Sequence, residues 1–146
     1  MEQKVVFKKI EDVLYAYPKY QKRIQIELEE LRDLQIKKSY KLGNIHSNPY
    51  EIKSELEQLE ELRDRICNNI KRYNEIIFRI DECLNLVIDH KDYCFIKLKY
   101  FDNLTYEAIA EKLEINVSNT YKMRGRILGA LEIHMLAQTL ISFNWY

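Results

Sequence analysis

The sequence predicts an all-α fold: an N-terminal helical hairpin or coiled coil over residues 1–80, followed by a C-terminal helix-turn-helix domain over residues 81–146. Three observations lead there. Three glycines and two prolines in 146 residues leave few places to turn, while charged residues make up 32% and Leu, Ile, Glu and Lys abound, a composition that favours helix. Apolar residues then recur every three or four positions over long stretches, which gathers them on one helix face. Finally, LTYEAIAEKLEINVSNTYKMRGRIL, from Leu104 to Leu128, reads as two short helices joined by a tight turn.

From Glu2 to Tyr17, Val6, Ile10, Val13, Leu14 and Tyr17 form the first stripe, and Pro18 marks its end or a kink. A second pattern runs from Lys19 to about Leu42 through Ile24, Leu28 and Leu31, with Lys22, Arg23, Lys37, Lys38 and Lys41 largely off it. Those lysines read as a solvated helix face or as a basic end able to touch phosphate. The segment GNIHSNPY, Gly43 to Tyr50, is a hinge or turn: Gly43 suits a helix C-cap, and Asn48 before Pro49 suits a helix start. His46 has no second ligand at metal-binding spacing and reads as a loop residue.

From Pro49 to about Asp89 the apolar positions fit a heptad: Leu56, Ile70, Ile77 and Leu84 at one position, Ile52, Leu59, Ile66, Tyr73, Ile80 and Val87 at the other. Arg63 is the one break. The seam can face the same helix of another subunit, giving a coiled-coil dimer, or the helix of residues 19–42 folded back as a hairpin. A short connecting loop makes the hairpin the partner with the lower entropic cost. A break near Asp81 is a third possibility. Residues 81–102 lead into the motif, with Phe95, Ile96, Leu98 and Phe101 on a helix and Asp102 and Asn103 as turn formers. After it, Leu128, Leu131, Met135, Leu136 and Leu140 keep helical spacing, and Phe143, Trp145 and Tyr146 end the chain with apolar surface to bury on the body or on a partner subunit.

Within Leu104–Leu128, Ile109, Ala110, Leu113, Ile115, Thr120, Met123 and Ile127 are expected to close a small core. Thr105 is placed to cap the first helix, and the Asn116 side chain to cap the second. Val117, Ser118, Asn119, Tyr121, Lys122 and Arg124 are left facing outward. Charge agrees: net charge is zero, yet between Val117 and Leu131 stand Lys122, Arg124 and Arg126 with no acid. Cys67, Cys83 and Cys94 are odd in number and widely spaced, so neither a disulfide framework nor zinc is suggested, and reduced, buried or half-buried thiols are expected. No cofactor, metal or enzyme constellation is expected, and with no signal peptide or membrane-spanning run read in the sequence a cytoplasmic location is expected.

From about Leu84 to Leu131 the sequence resembles region 4 of sigma factors, and the whole chain resembles the short phage-encoded late transcriptional regulators of the RinA and ArpU type, activators in phages of low-GC Gram-positive bacteria. The matching residues are LTYEAIAEKL, TYKMRGRIL and, nearer the start, VLYAYPKYQKRIQIELEEL with its Tyr-Pro step. The sequence departs from the pattern at Glu114, where Gly or Asn is common, at Thr120, where Val or Ile usually fills the core, and at Met123, where a larger aromatic is common. The resemblance implies a regulator of double-stranded DNA promoters, in contact with RNA polymerase and acting as a homodimer or higher oligomer. It assigns Val117, Ser118, Tyr121 and Lys122 to base edges. Asn119, Arg124 and Arg126 fall to phosphates. Tyr121 has a competing reading as packing on the lead-in helix, and Arg126 as an ion pair with Asp102 or Glu107. The competing function is a sigma-like module that binds polymerase or another regulator without reading DNA.

Overall fold

The computed structural model describes residues 2–43 and 49–142, and no strand occurs among the described residues. Helix α1 spans Glu2–Leu42 and α2 spans Pro49–Leu86. A single-turn helix α3, Cys94–Ile96, opens directly into a π-helical turn, Lys97–Phe101. The short α4, Tyr106–Leu113, and the longer α5, Val117–Ala137, follow. No helix among the described residues is long and apolar enough to cross a membrane.

Contacts gather the chain into two compact units, one made of Met1–Lys19 with Ile76–Tyr146 and the other of Tyr20–Glu75. A single cut near residue 80 therefore does not describe the chain. Phe7, Ile10 and Leu14 recur at helical spacing and leave water almost completely, entering one core with Ile80, Leu84, Phe95, Ile127 and Leu131. Each such side chain contributes about 1.5–3 kcal/mol on burial. The opening stretch of α1 thus belongs with the C-terminal helices, far away in sequence.

Neither of the two helix ends that the sequence allowed, at Pro18 and near Asp81, occurs. Pro18 lies inside α1, which runs on to Leu42, and α2 continues past Asp81 to Leu86. Proline removes one backbone donor from the helix ladder. Its neighbourhood is held from outside: Tyr17 donates to Asp81 at 2.6 Å and stacks on Phe101 with ring centroids 5.0 Å apart. Burial first, and then the bond to Asp81, push the Tyr17 phenol well above its ordinary range, so it stays a neutral donor.

The approach to α4 is tighter than its sequence suggests. Asp92 donates its backbone N–H to His90 Nδ1 at 3.0 Å, and the helix begins at Cys94. The Asp102 N–H reaches the carbonyl of Lys97, five residues back, at 2.8 Å, which defines the π turn. Asn103 adopts a left-handed φ of 56°, as its turn-forming side chain permits, and the chain is released into α4. Beyond α5, Leu140 and Ile141 pack on the same core. The terminal Phe143, Trp145 and Tyr146 lie outside the described residues.

In the second unit α1 and α2 run antiparallel. Lys38 pairs with Glu60, Lys41 Nζ lies 2.8 Å from Glu55, and the Tyr20 and Tyr73 rings are 5.7 Å apart, so α2 numbers fall as α1 numbers rise. Among the described residues here, Glu27, Leu34 and Ile66 are the buried ones. The Glu27 carboxylate is matched by Arg23 at 3.2 Å. Gly43 closes α1 by donating to the Ser39 carbonyl at 3.1 Å. His46 and the helix-start signal at Asn48 lie outside the described residues.

Candidate functional site

Helix α4 begins where its sequence said. The Ala108 N–H donates to Thr105 Oγ1 at 3.1 Å, satisfying one of the free donors of the first turn. It ends at Glu114, whose φ of 56° and ψ of 44° lie in the left-handed region. The following Ile115 N–H reaches the Ala110 carbonyl at 3.0 Å, the six-residue closure that turns a chain sharply out of a helix. That closure carries Ile115 back toward the core, where it packs.

Asn116 starts α5 with extended backbone, but its side chain makes no capping hydrogen bond, contrary to expectation. Local bonding is done by other groups: Asn119 N–H donates to the Asn116 carbonyl at 2.9 Å, and the Thr120 hydroxyl donates to the Val117 carbonyl at 2.5 Å. Thr120 is fully buried, so its hydroxyl needs that partner. Ile109 and Ala110 of α4 are buried, as are Thr120, Met123 and Ile127 of α5. The two helices pack through these residues, and Ala110 is small enough to allow a close approach.

On the outer side of α5, Ser118 and Lys122 are exposed, while Val117 and Asn119 are half-buried. Tyr121 is 51% exposed, and the rest of its ring stacks on Tyr106 of α4 at 4.3 Å and 23°. Tyr106 in turn stacks on Phe95 at 6.3 Å, and Lys99 Nζ sits 5.0 Å from the Tyr106 ring centroid. The packing partner of Tyr121 is therefore α4, and the ring is held in one orientation with an open edge.

Both arginines are engaged inside the unit: Arg124, expected to face outward, is half-buried, while Arg126 stays exposed. Arg124 donates to both carboxylate oxygens of Glu11 on α1, from Nη2 at 2.6 Å and from Nε at 3.2 Å, and its guanidinium lies 5.6 Å from the centre of the Phe7 ring. Glu11 also accepts from the Tyr100 hydroxyl at 2.7 Å. Burial pushes the Glu11 carboxyl up, but the hydrogen bonds from Arg124 and Tyr100 outweigh it and hold it below its ordinary value. The same bond to Glu11 raises Arg124 against a smaller opposing effect of burial. Arg126 donates to the buried Asp92, from Nε at 2.6 Å and Nη2 at 3.3 Å, so its partner is neither Asp102 nor Glu107. Both guanidiniums tie α5 to other parts of its own unit.

Glu11, Asp92 and Tyr106 are the residues that sequence reading left out. Nothing local marks Glu11 as a partner, because 113 positions separate it from Arg124. Tyr106 carried a weak signal: an aromatic directly after the cap residue of a short helix. Around the turn, Glu107, Glu111, Lys112 and Glu114 are all exposed. The exposed start of α5 thus offers a hydroxyl, a phenol edge and an ammonium within about one turn, groups able to hydrogen-bond donor and acceptor edges alike. Among the described residues, no group of three or more His, Cys, Asp or Glu side chains could hold a metal ion. No family model, curated protein or solved structure matches this chain.

Proposed function

We propose that the chain is a sequence-specific DNA-binding transcriptional regulator, a phage or prophage late-gene activator acting in the cytoplasm as a homo-oligomer and in contact with RNA polymerase. In this reading α4, the turn at Glu114 and α5 form a helix-turn-helix like region 4 of sigma factors, and the antiparallel arm is the N-terminal hairpin. The observation that carries it is the outward start of α5, where Ser118, Tyr121 and Lys122 stand on one exposed face of a helix fixed from behind by α4. A helix so held can lie in a major groove with its first turns against base edges. Ser118 would meet donor or acceptor edges, Val117 a thymine methyl and Lys122 guanine acceptors. Asn119 would meet phosphate. Arg124 and Arg126 would act by holding α5 in place.

A second reading, a protein-interaction module that binds polymerase or another regulator, draws support from the committed arginines and from the exposed carboxylates of Glu107, Glu111 and Glu114. Anisotropy titration against the DNA upstream of the protein's own gene and against late-promoter DNA separates the two. Specific binding that weakens steeply with salt is expected of the DNA reader. Binding that is absent, or indifferent to salt and to Lys122→Ala, would leave the interaction module.

A further inference from the structure

The antiparallel arm is short of burial. Two helices spanning Tyr20–Glu75 leave Leu28, Ile36 and Leu42 of α1 at 40%, 64% and 60% exposure. Two grooves border the arm and share Lys38. The α1 groove is lined by the exposed apolar side chains of Ile36 and Leu42 and by the cations Arg32 and Lys38, with Gln35 and Ser39 and no acid. The α2 groove is lined by the apolar side chains of Pro49, Ile52 and Leu56 and by Glu57, Glu60 and Glu61, against Lys38 and Lys53. Lys38 and Glu60 already pair with each other. Arg32, Glu57 and Glu61 have no ion-pair partner among the described residues.

We infer that this face of the arm binds a second copy of the same chain, with α1 of one copy laid over α2 of the other. The inference rests on the homo-oligomeric part of the function proposed above and not on DNA binding. Charge selects the occupant and the arrangement together. Stacking α1 on α1 would set Arg32 and Lys38 against their own copies, and stacking α2 on α2 would oppose Glu57 and Glu61 to themselves. A crosswise arrangement matches cations to carboxylates twice, once on each side of a two-fold axis, as a self-complementary interface requires. Levels along the arm agree as well. Because Lys38 pairs with Glu60 and Lys41 with Glu55, the stretch holding Ile36 and Leu42 is level with the stretch holding Leu56. A two-fold axis parallel to the helices preserves those levels, so Leu42 of one copy meets Leu56 of the other, Ile36 comes level with Glu61, and Arg32 and Lys38 come within about a turn of Glu61.

The test is sedimentation equilibrium on the full chain without DNA, so that its result is separable from any failure to bind DNA. The parent chain is expected to be a dimer, and Ile36→Glu a monomer of unchanged helicity by circular dichroism. Arg32→Glu alone, and Glu57→Lys with Glu61→Lys alone, should each weaken self-association by about tenfold or more. An equimolar mixture of these two variants should regain the parent's affinity, because both halves of the mixed dimer then pair opposite charges. Those substitutions sit on exposed positions, so the rescue does not hinge on the Ile36 variant folding. A parent chain that stays monomeric at its highest soluble concentration overturns the inference and leaves the face to an unlike partner. A dimer that survives Ile36→Glu, or a mixture that fails to recover, overturns it equally.

Discussion

Arg124 grips Glu11 with two hydrogen bonds, at 2.6 and 3.2 Å, and so joins the middle of α5 to the first turns of α1. The pair is largely shielded, with side chains 28% and 16% exposed, and the Tyr100 hydroxyl completes it. A charge pair in such a place stabilises through geometry, and removing one member strands the other. Arg124→Met and Glu11→Gln are each expected to cost about 1.5–3 kcal/mol. A double-mutant cycle followed by urea unfolding should return a coupling of about 0.5–3 kcal/mol between them. Independent, additive effects would show that the contact carries no energy.

The same pair makes stability depend on acid. The Glu11 carboxyl in the folded chain lies below its ordinary value of 4.5, so the unfolded chain binds that proton more readily. The stabilising contribution is complete above about pH 4.5 and is lost as the pH falls through the lower folded value. Melting temperature should therefore drop on acidification below that point. Glu11→Gln, already without the charge, should lower the melting temperature at neutral pH and flatten the acid limb.

On the DNA-binding reading proposed above, Lys122 and Arg124 should behave differently although both are cations on α5. Lys122 is exposed, and Lys122→Ala should weaken promoter binding by about 1–3 kcal/mol where a base contact is lost, with the melting temperature unchanged. Arg124→Ala should lower both affinity and melting temperature, because it acts through the seating of α5. Anisotropy and thermal denaturation on the same samples resolve the two patterns.

Glu114 holds a left-handed conformation that costs an L residue with a side chain about 1–2 kcal/mol. Glu114→Gly is expected to raise stability by about 1 kcal/mol, and Glu114→Asn by less. Chemical denaturation of the three chains checks the order. Equal midpoints would mean that the glutamate side chain makes a compensating interaction.

The three cysteines are expected to react at different rates. Cys94 is exposed, Cys67 is half-buried, and Cys83 is buried with its thiol pushed up to about 11 by burial. Alkylation of the native protein followed by mass spectrometry should modify Cys94 first and Cys83 last. Cys94 is the one of the three that does not fit the expectation of buried or half-buried thiols.

The sequence by itself determined the helices and the short-range chemistry. Helix periodicity is a local property, and so are the Thr105 cap, the turn at Asp102 and Asn103, and the inward set Ile109, Ala110, Thr120, Met123 and Ile127. Each depends on residues a few positions apart. Tertiary structure alone decided where the first nineteen residues belong, that Pro18 does not end its helix, and which cations of α5 remain free. Those outcomes turn on Glu11, Asp81 and Asp92, acids brought in from distant elements. A run of basic residues reads as an open surface until its partners are known, because a carboxylate from a distant element can take up a guanidinium through two hydrogen bonds and leaves no mark in the local sequence.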